Sequence, residues 1–225
     1  MKHPDRLQKI QVKTDSYECS MTADIAVFGY KDGQLKVLLT KRSVGDFKNH
    51  WLLPGGVMTE SETIEDCASK VLLALTGFTD VHFEQVKTYS KLNRHPLKRV
   101  ITTSFYALVK PEKHPLILKE SVEKIEWFDL NEIPENIGFD HTQLIKDAHL
   151  FLKNNLKDKL IVGELLPKEF TLAELQKLYE DILKITLDRR NFRKRIFQMD
   201  IVKNTGVKKA GVKGGPFLYS FNNKS

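Results

Sequence analysis

The chain has 225 residues, 41% hydrophobic and 29% charged, which leaves room for one substantial domain and a small second one of ordinary globular composition. No apolar run approaches the roughly 20 residues of a membrane span, and the polar start MKHPDRLQKIQVKTDSYECS lacks a signal-peptide core. Two cysteines, Cys19 and Cys67, are too few for a disulfide framework or a zinc site, so a cytoplasmic setting without membrane partners is expected. The net charge of +7 is held unevenly: residues 1–150 carry 20 Lys+Arg against 21 Asp+Glu, and residues 151–225 carry 16 against 8. A near-neutral larger part joined to a basic smaller part implies that the basic part faces a polyanion, the alternative being a solvated lysine-rich tail.

In chain order, the short apolar run Ala23–Tyr30 reads as a buried strand. Asp32-Gly33 turns it into a return strand, Leu35–Thr40. Lys41-Arg42 and a polar loop follow, and Trp51-Leu52-Leu53 leads into the turn Pro54-Gly55-Gly56. Ile64, Cys67, Ala68, Val71, Leu72 and Leu75 recur at helical spacing. Glu62, Glu65 and Asp66 at that helix's start complement its dipole, and Gly77 is its stop. Strands are then expected over Val81–Ser90, Val100–Val109 and Ser121–Leu130, and a helix over Thr142–Leu156. This alternation is that of an α/β/α sandwich.

Leu165-Leu166-Pro167 marks a boundary. Beyond it, Thr171 with Glu174 forms a capping box, and Phe170 with Leu175 can supply its hydrophobic staple. The helix so begun buries Leu172, Leu175, Leu178, Tyr179 and Ile182. A second helix, Arg189–Met199, is capped by Thr186 or Asp188 and buries Phe192, Ile196 and Met199. Arg190, Arg193 and Lys194 fall on its other side. Strands over Asp200–Lys203 and Pro216–Phe221 flank the basic, glycine-rich NTGVKKAGVKGG. Helix, turn, basic helix and basic hairpin is the order of a winged helix-turn-helix. Groove contacts are expected from Arg189, Arg190, Asn191, Arg193 and Lys194, and phosphate contacts from Lys203, Lys208, Lys209 and Lys213. Phe197 projects off the core side, and either packs under the wing or meets a thymine methyl. The winged order and the lack of an aromatic stacking pair on a strand argue against an RNA-binding module.

The stretch LPGGVMTESETIEDCASKVLLALTGFTD, residues 53–80, resembles a Nudix box. Gly56, Glu62 and Gly77 keep the family's places, but the carboxylate-bearing run reads Lys70, Val71, Leu72, Leu73, Ala74, Leu75. A magnesium–diphosphate site needs several hard oxygen ligands, and Val71, Ala74 and Leu75 offer none. The expectation is a scaffold that keeps its shape without catalytic residues, metal site or cofactor. ADIAVFGY, LKVLLTKR, WLLPGG, ITTSFYALV and EWFDLNEIP follow the same family's order across residues 21–155.

With LLPKEFTLAELQ and RRNFRKR added, nearly the whole chain resembles the Nudix-related transcription regulators (NrtR/AraR-like). The resemblance implies a Nudix-type α/β/α sandwich with a mixed sheet over residues 1–157, sensing an effector. It also implies a small winged helix-turn-helix domain over 158–225, and a homodimeric repressor on a palindromic duplex operator. The effector implied is ADP-ribose or a sugar such as arabinose. Members that sense ADP-ribose carry an Asp-Pro-Arg-Gly-type turn before the central strand, where this chain has Arg94-His95-Pro96-Leu97-Lys98-Arg99. That departure points towards a sugar or sugar derivative. Position alone nominates Lys41, Arg42, Trp51, Arg94, Lys98 and Arg99 as effector contacts, with Lys41 and Arg42 equally readable as surface charges at a strand end. The competing reading is a working hydrolase of nucleoside diphosphate derivatives, its metal site rebuilt from Glu60, Glu62, Glu65 and Glu120 or Glu123.

Overall fold

Strands β1 (Ser20–Lys31) and β6 (Val100–Val109) run parallel through the middle of a mixed sheet, from Ser20 opposite Val100 to Gly29 opposite Val109. The computed structural model describes residues 18–45, 47–77, 81–112, 116–118, 122–156, 163–211 and 215–222. The remaining sheet pairings are antiparallel. β2 (Gln34–Arg42) pairs with β1, β3 (Trp51–Leu52) and β7 (Val122–Asp129); β4 (Gly55–Val57) pairs with β1; β5 (His82–Tyr89) pairs with β6.

Both central strands hold long apolar runs, Ile25–Phe28 and Phe105–Val109, because both of their faces are covered. Ala23, Ile25, Val27, Phe105, Ala107 and Val109 point to one side, where Cys67, Ala68, Leu72 and Leu75 of α1 (Ile64–Thr76) meet them. Ala26, Phe28, Tyr106 and Leu108 point to the other, onto Leu144, Ile145, Ala148 and Leu152 of α2 (His141–Asn154). The expected sandwich with a mixed sheet is therefore present. Helix α1 is closed by Thr63, whose hydroxyl accepts from the Asp66 amide while Asp66 accepts from the Thr63 amide, and it stops at left-handed Gly77.

The basic third forms α3 (Leu172–Leu183), α4 (Arg189–Gln198) and a hairpin of β8 (Val202–Lys208) and β9 (Phe217–Phe221). Thr171 and Glu174 form the expected capping box, and Asp188 is the residue that caps α4. Strand β8 runs five residues past its expected end at Lys203, taking in the first five residues of the basic segment. A backbone pair between Phe170 and Tyr219 fastens the wing to the start of α3. One apolar core continues from the sheet through α2 into Leu175, Leu178, Ile182, Phe192 and Ile196. The expected boundary at 157/158 falls outside the described residues. Among the described residues, no helix is long and apolar enough to cross a membrane.

Candidate ligand cleft and nucleic-acid interface

A cleft of about 270 Å³ opens where the end of β2, the β3–β4 turn, the loop before β6 and the start of α2 converge. Its floor is a buried polar cluster. Asp24 interrupts the apolar run of β1 and accepts a 2.7 Å hydrogen bond from the Thr102 hydroxyl. Arg94 lies 3.6 Å from the same carboxylate and donates through Nε and Nη2 to both oxygens of Asp140, at 3.2 and 2.8 Å. The Leu53 amide donates to His141 Nδ1 at 2.9 Å, which puts the ring proton on Nε2, 3.7 Å from Asp24. Burial lowers the His141 pKa, against the opposing pull of Asp24 and Asp140. Gly55 permits the close turn: a Cβ there would lie 2.3 Å from Asp24 Oδ1. Phe139, held at φ 57°, stacks on His95 at 5.2 Å along the cleft wall.

Of the six nominated effector contacts, Arg42, Arg94 and Lys98 line this cleft. The other three stand elsewhere. Lys41 pairs with Glu123 of β7 at 3.0 Å. Trp51 is buried edge-on against Phe128, because a two-residue strand packed over β2 turns its ring into the core. Arg99 donates to the Ser90 and Lys91 carbonyls and so ties down its own loop. Asp24, Thr102, Asp140 and His141 were absent from the sequence-based set, although a lone acid inside ADIAVFGY is a legible signal.

Two of the box's acids are engaged within the box itself. Glu62 is taken by Lys70 and by the Thr59 amide, and the Lys70 bond leads the lowering of its pKa. Asp66 is committed to its capping box, and Val71 packs where a Cβ on Gly56 would come within 2.9 Å of it. Ala74 is half-buried and Leu75 buried. Among the described residues, no group of three or more His, Cys, Asp or Glu is placed to hold a metal ion. Asp24 is the single carboxylate among the described residues lining the cleft, and its Oδ2 already accepts from Thr102 and faces Arg94. These residues do not fit a magnesium–diphosphate centre, which needs several free carboxylates.

At the other end of the molecule, Arg189, Arg190, Asn191 and Lys194 stand exposed on α4, and Arg193 is half-buried. Arg195 is also exposed, on the side of α4 that faces Tyr179 and Lys153. Phe197 is 50% exposed and its ring lies 6.0 Å from that of Tyr219 in β9, so it leans on the wing. Lys203, Lys208 and Lys209 are exposed on or beside β8. Lys208 sits over the Phe217 ring and Lys209 donates to Glu174 of α3 at 2.6 Å. Lys213 lies outside the described residues.

Known proteins resemble the chain in both parts. The NUDIX domain model matches residues 21–148, and the NrtR DNA-binding winged helix domain model matches residues 162–221. The ADPR responsive transcriptional repressor NtrR of Acinetobacter baylyi is 32% identical over 93% of this chain and 84% of its own length. An ADP-ribose pyrophosphatase of Methanocaldococcus jannaschii is also 32% identical, but over 62% of this chain and 82% of its own length. The crystal structure of Shewanella oneidensis NrtR complexed with a 27mer DNA superposes with a TM-score of 0.77 at 32% identity, covering 90% of this chain and 93% of that one. The NUDIX domain of the same protein complexed with ADP ribose gives 0.53 at 30% identity, over 61% of this chain and 90% of that one. With one family's sandwich and another's winged helix matched in a single chain, and a full-length relative above 30% identity, the chain belongs to the Nudix-related transcription regulators of the NrtR type.

Proposed function

We propose that the chain is a cytoplasmic repressor that binds a palindromic operator as a homodimer and senses ADP-ribose in its Nudix-like cleft without hydrolysing it. One observation carries the reading. Arg42, Arg94 and Lys98 line a cleft whose single described lining carboxylate is already engaged, while the neighbouring box glutamate is held by Lys70. A diphosphate can be bound there by guanidinium and ammonium groups alone. In-line hydrolysis would want metal-held water, and among the described residues no group of three acids, histidines or cysteines is placed to hold the metal. The stacked His95 and Phe139 rings offer a flat wall to a base or sugar.

The departure at Arg94–Arg99 from the Asp-Pro-Arg-Gly-type turn pointed to a sugar. The relatives favour ADP-ribose, and nothing among them supports arabinose. Charge agrees with them: a neutral pentose has no use for three cations, whereas a diphosphate does. A thermal-shift series with the full chain tests the choice. ADP-ribose at a hundredfold excess over its Kd adds about 2.7 kcal/mol to the stability of the folded state. Arabinose at the same concentration leaves the melting temperature unchanged. A shift with arabinose and none with ADP-ribose reverses the assignment. The pyrophosphatase relative favours the competing hydrolase reading. Release of AMP and ribose 5-phosphate with magnesium, abolished in Glu62→Gln, would establish it.

A further inference from the structure

Helix α2 begins in an unusual way. Asp140 occupies the position whose side chain ordinarily accepts from the first-turn amides of a helix. Here its carboxylate makes no such bond, and its backbone, at φ −98° and ψ 20°, lies outside the extended region that a capping residue uses. Both oxygens are instead given to Arg94. No acidic residue in the first turn of α2 substitutes for it. The preceding Phe139 is held in the left-handed region, which a non-glycine residue occupies only when its surroundings enforce it. Its ring is enclosed by Phe47 at 4.1 Å, His95 at 5.2 Å and His141 at 5.3 Å. The start of α2 thus lacks a side-chain cap, its His141 and Gln143 amides donating to the Gly138 and Asp140 backbone carbonyls. The Asp140 carboxylate is held away by a guanidinium that also lines the cleft.

The far end of α2 is joined to the DNA-facing part. His149 Nε2 donates to the Ile182 carbonyl of α3 at 2.8 Å, and the Tyr179 hydroxyl of α3 donates to the Leu156 carbonyl at 3.3 Å. Leu152 and Leu156 share one core with Leu178, Ile182, Phe192 and Ile196. A change in the first turn of α2 is therefore felt by α3 and α4 through packed side chains, which move as units rather than deform.

We propose that Asp140 is the positioning residue that couples the cleft to the winged helix, with Arg94 shared between Asp140 and the anion bound in the cleft. This rests on the reading of the cleft as an ADP-ribose site and of α4 as a DNA-reading helix. In the empty protein, Arg94 holds Asp140 away from α2, and α3 and α4 take the seat that fits the operator. When the diphosphate draws Arg94 to itself, Asp140 turns to cap α2, Phe139 leaves its strained conformation, and the first turn resets. The operator and the effector then favour opposite positions of one element, which is what makes their binding mutually exclusive.

The test uses full-length Asp140→Asn, which keeps a side chain able to cap and loses the charge that holds Arg94. Affinity for ADP-ribose is measured by calorimetry, and affinity for a duplex selected by the wild-type protein by fluorescence anisotropy, each without the other ligand. The expected result is a change of about tenfold in opposite directions, tighter for ADP-ribose and weaker for DNA. A merely structural Asp140 would weaken both together or change neither, and either outcome overturns the proposal. Should Asp140→Asn fold poorly, amide exchange on the wild-type chain decides. The amides of Thr142 and Gln143, which a capping Asp140 side chain would reach, gain protection on adding ADP-ribose if the cap forms, and unchanged exchange at both overturns the proposal. A wild-type chain that binds neither ADP-ribose nor duplex DNA refutes the functional reading itself, and with it the coupling. A chain that binds both while Asp140→Asn leaves both affinities unchanged refutes the coupling alone.

Discussion

His149 makes one of the hydrogen bonds that tie the two parts of the molecule together, and its burial makes the folded state pH-sensitive. Loss of solvent pushes its pKa from 6.5 down to about 4, with Lys153 and Lys184 adding to the effect and the bond to the Ile182 carbonyl opposing it. Between those two values the unfolded chain holds a proton that the folded chain does not, so stability falls as pH drops through that window. Buried His141 acts in the same direction. The melting temperature of the full chain is expected to fall as pH is lowered from about 6.5 to about 4. His149→Gln, which can keep the bond and cannot be charged, is expected to fall less steeply. Parallel curves for the two proteins would contradict this assignment. At this scale the sequence was partly legible. Arg42, Arg94 and Lys98 could be placed at the cleft because they flank strand ends. Trp51 could not be excluded from it, because which way a ring turns on a two-residue strand depends on Phe128, 77 positions away. The roles of Asp140 and Phe139 rest on backbone angles that no side-chain pattern encodes.

Among the elements, α4 is where charge and geometry meet most plainly. Phe192 and Ile196 hold it to the core, and Arg190 and Lys194 project from the exposed side one turn apart. Reversing both charges removes two phosphate-attracting groups and adds two repulsive ones. Arg190→Glu with Lys194→Glu is therefore expected to weaken operator binding by roughly a hundredfold or more at physiological salt. The melting temperature should stay near the wild-type value, since exposed substitutions change stability by about 0.5 kcal/mol or less. A gel-shift affinity equal to wild type would remove α4 from the interface. Element boundaries were legible wherever capping chemistry is local. Thr171 with Glu174 marks the start of α3 in sequence and in structure alike. The start of α1 was less so: the acids read as dipole partners include Asp66, whose bond is the reciprocal half of a box with Thr63. Strand β8 extends to Lys208 because Phe217 pairs with it from across the hairpin, and a partner of that kind is invisible to a reading that takes the chain one segment at a time.

At the scale of the whole molecule, the sandwich and the winged helix are not beads on a string. Core residues run without a break from Ala26 and Tyr106 in the sheet through Leu144 and Leu152 in α2 to Leu178 and Ile196. The family frame and the charge division made both parts readable in advance, but not this continuity, because the faces that join them look like any other buried helix stripe. Continuity is what lets a ligand in the cleft act on a helix at the other end. The most direct measurement of that claim is fluorescence anisotropy of the full chain on its selected duplex at constant salt, titrated with ADP-ribose in the presence of magnesium, with nucleotide analysis of the same sample. The account predicts that ADP-ribose releases the DNA and is recovered intact. Operator binding indifferent to ADP-ribose, or ADP-ribose converted to AMP and ribose 5-phosphate, would contradict it.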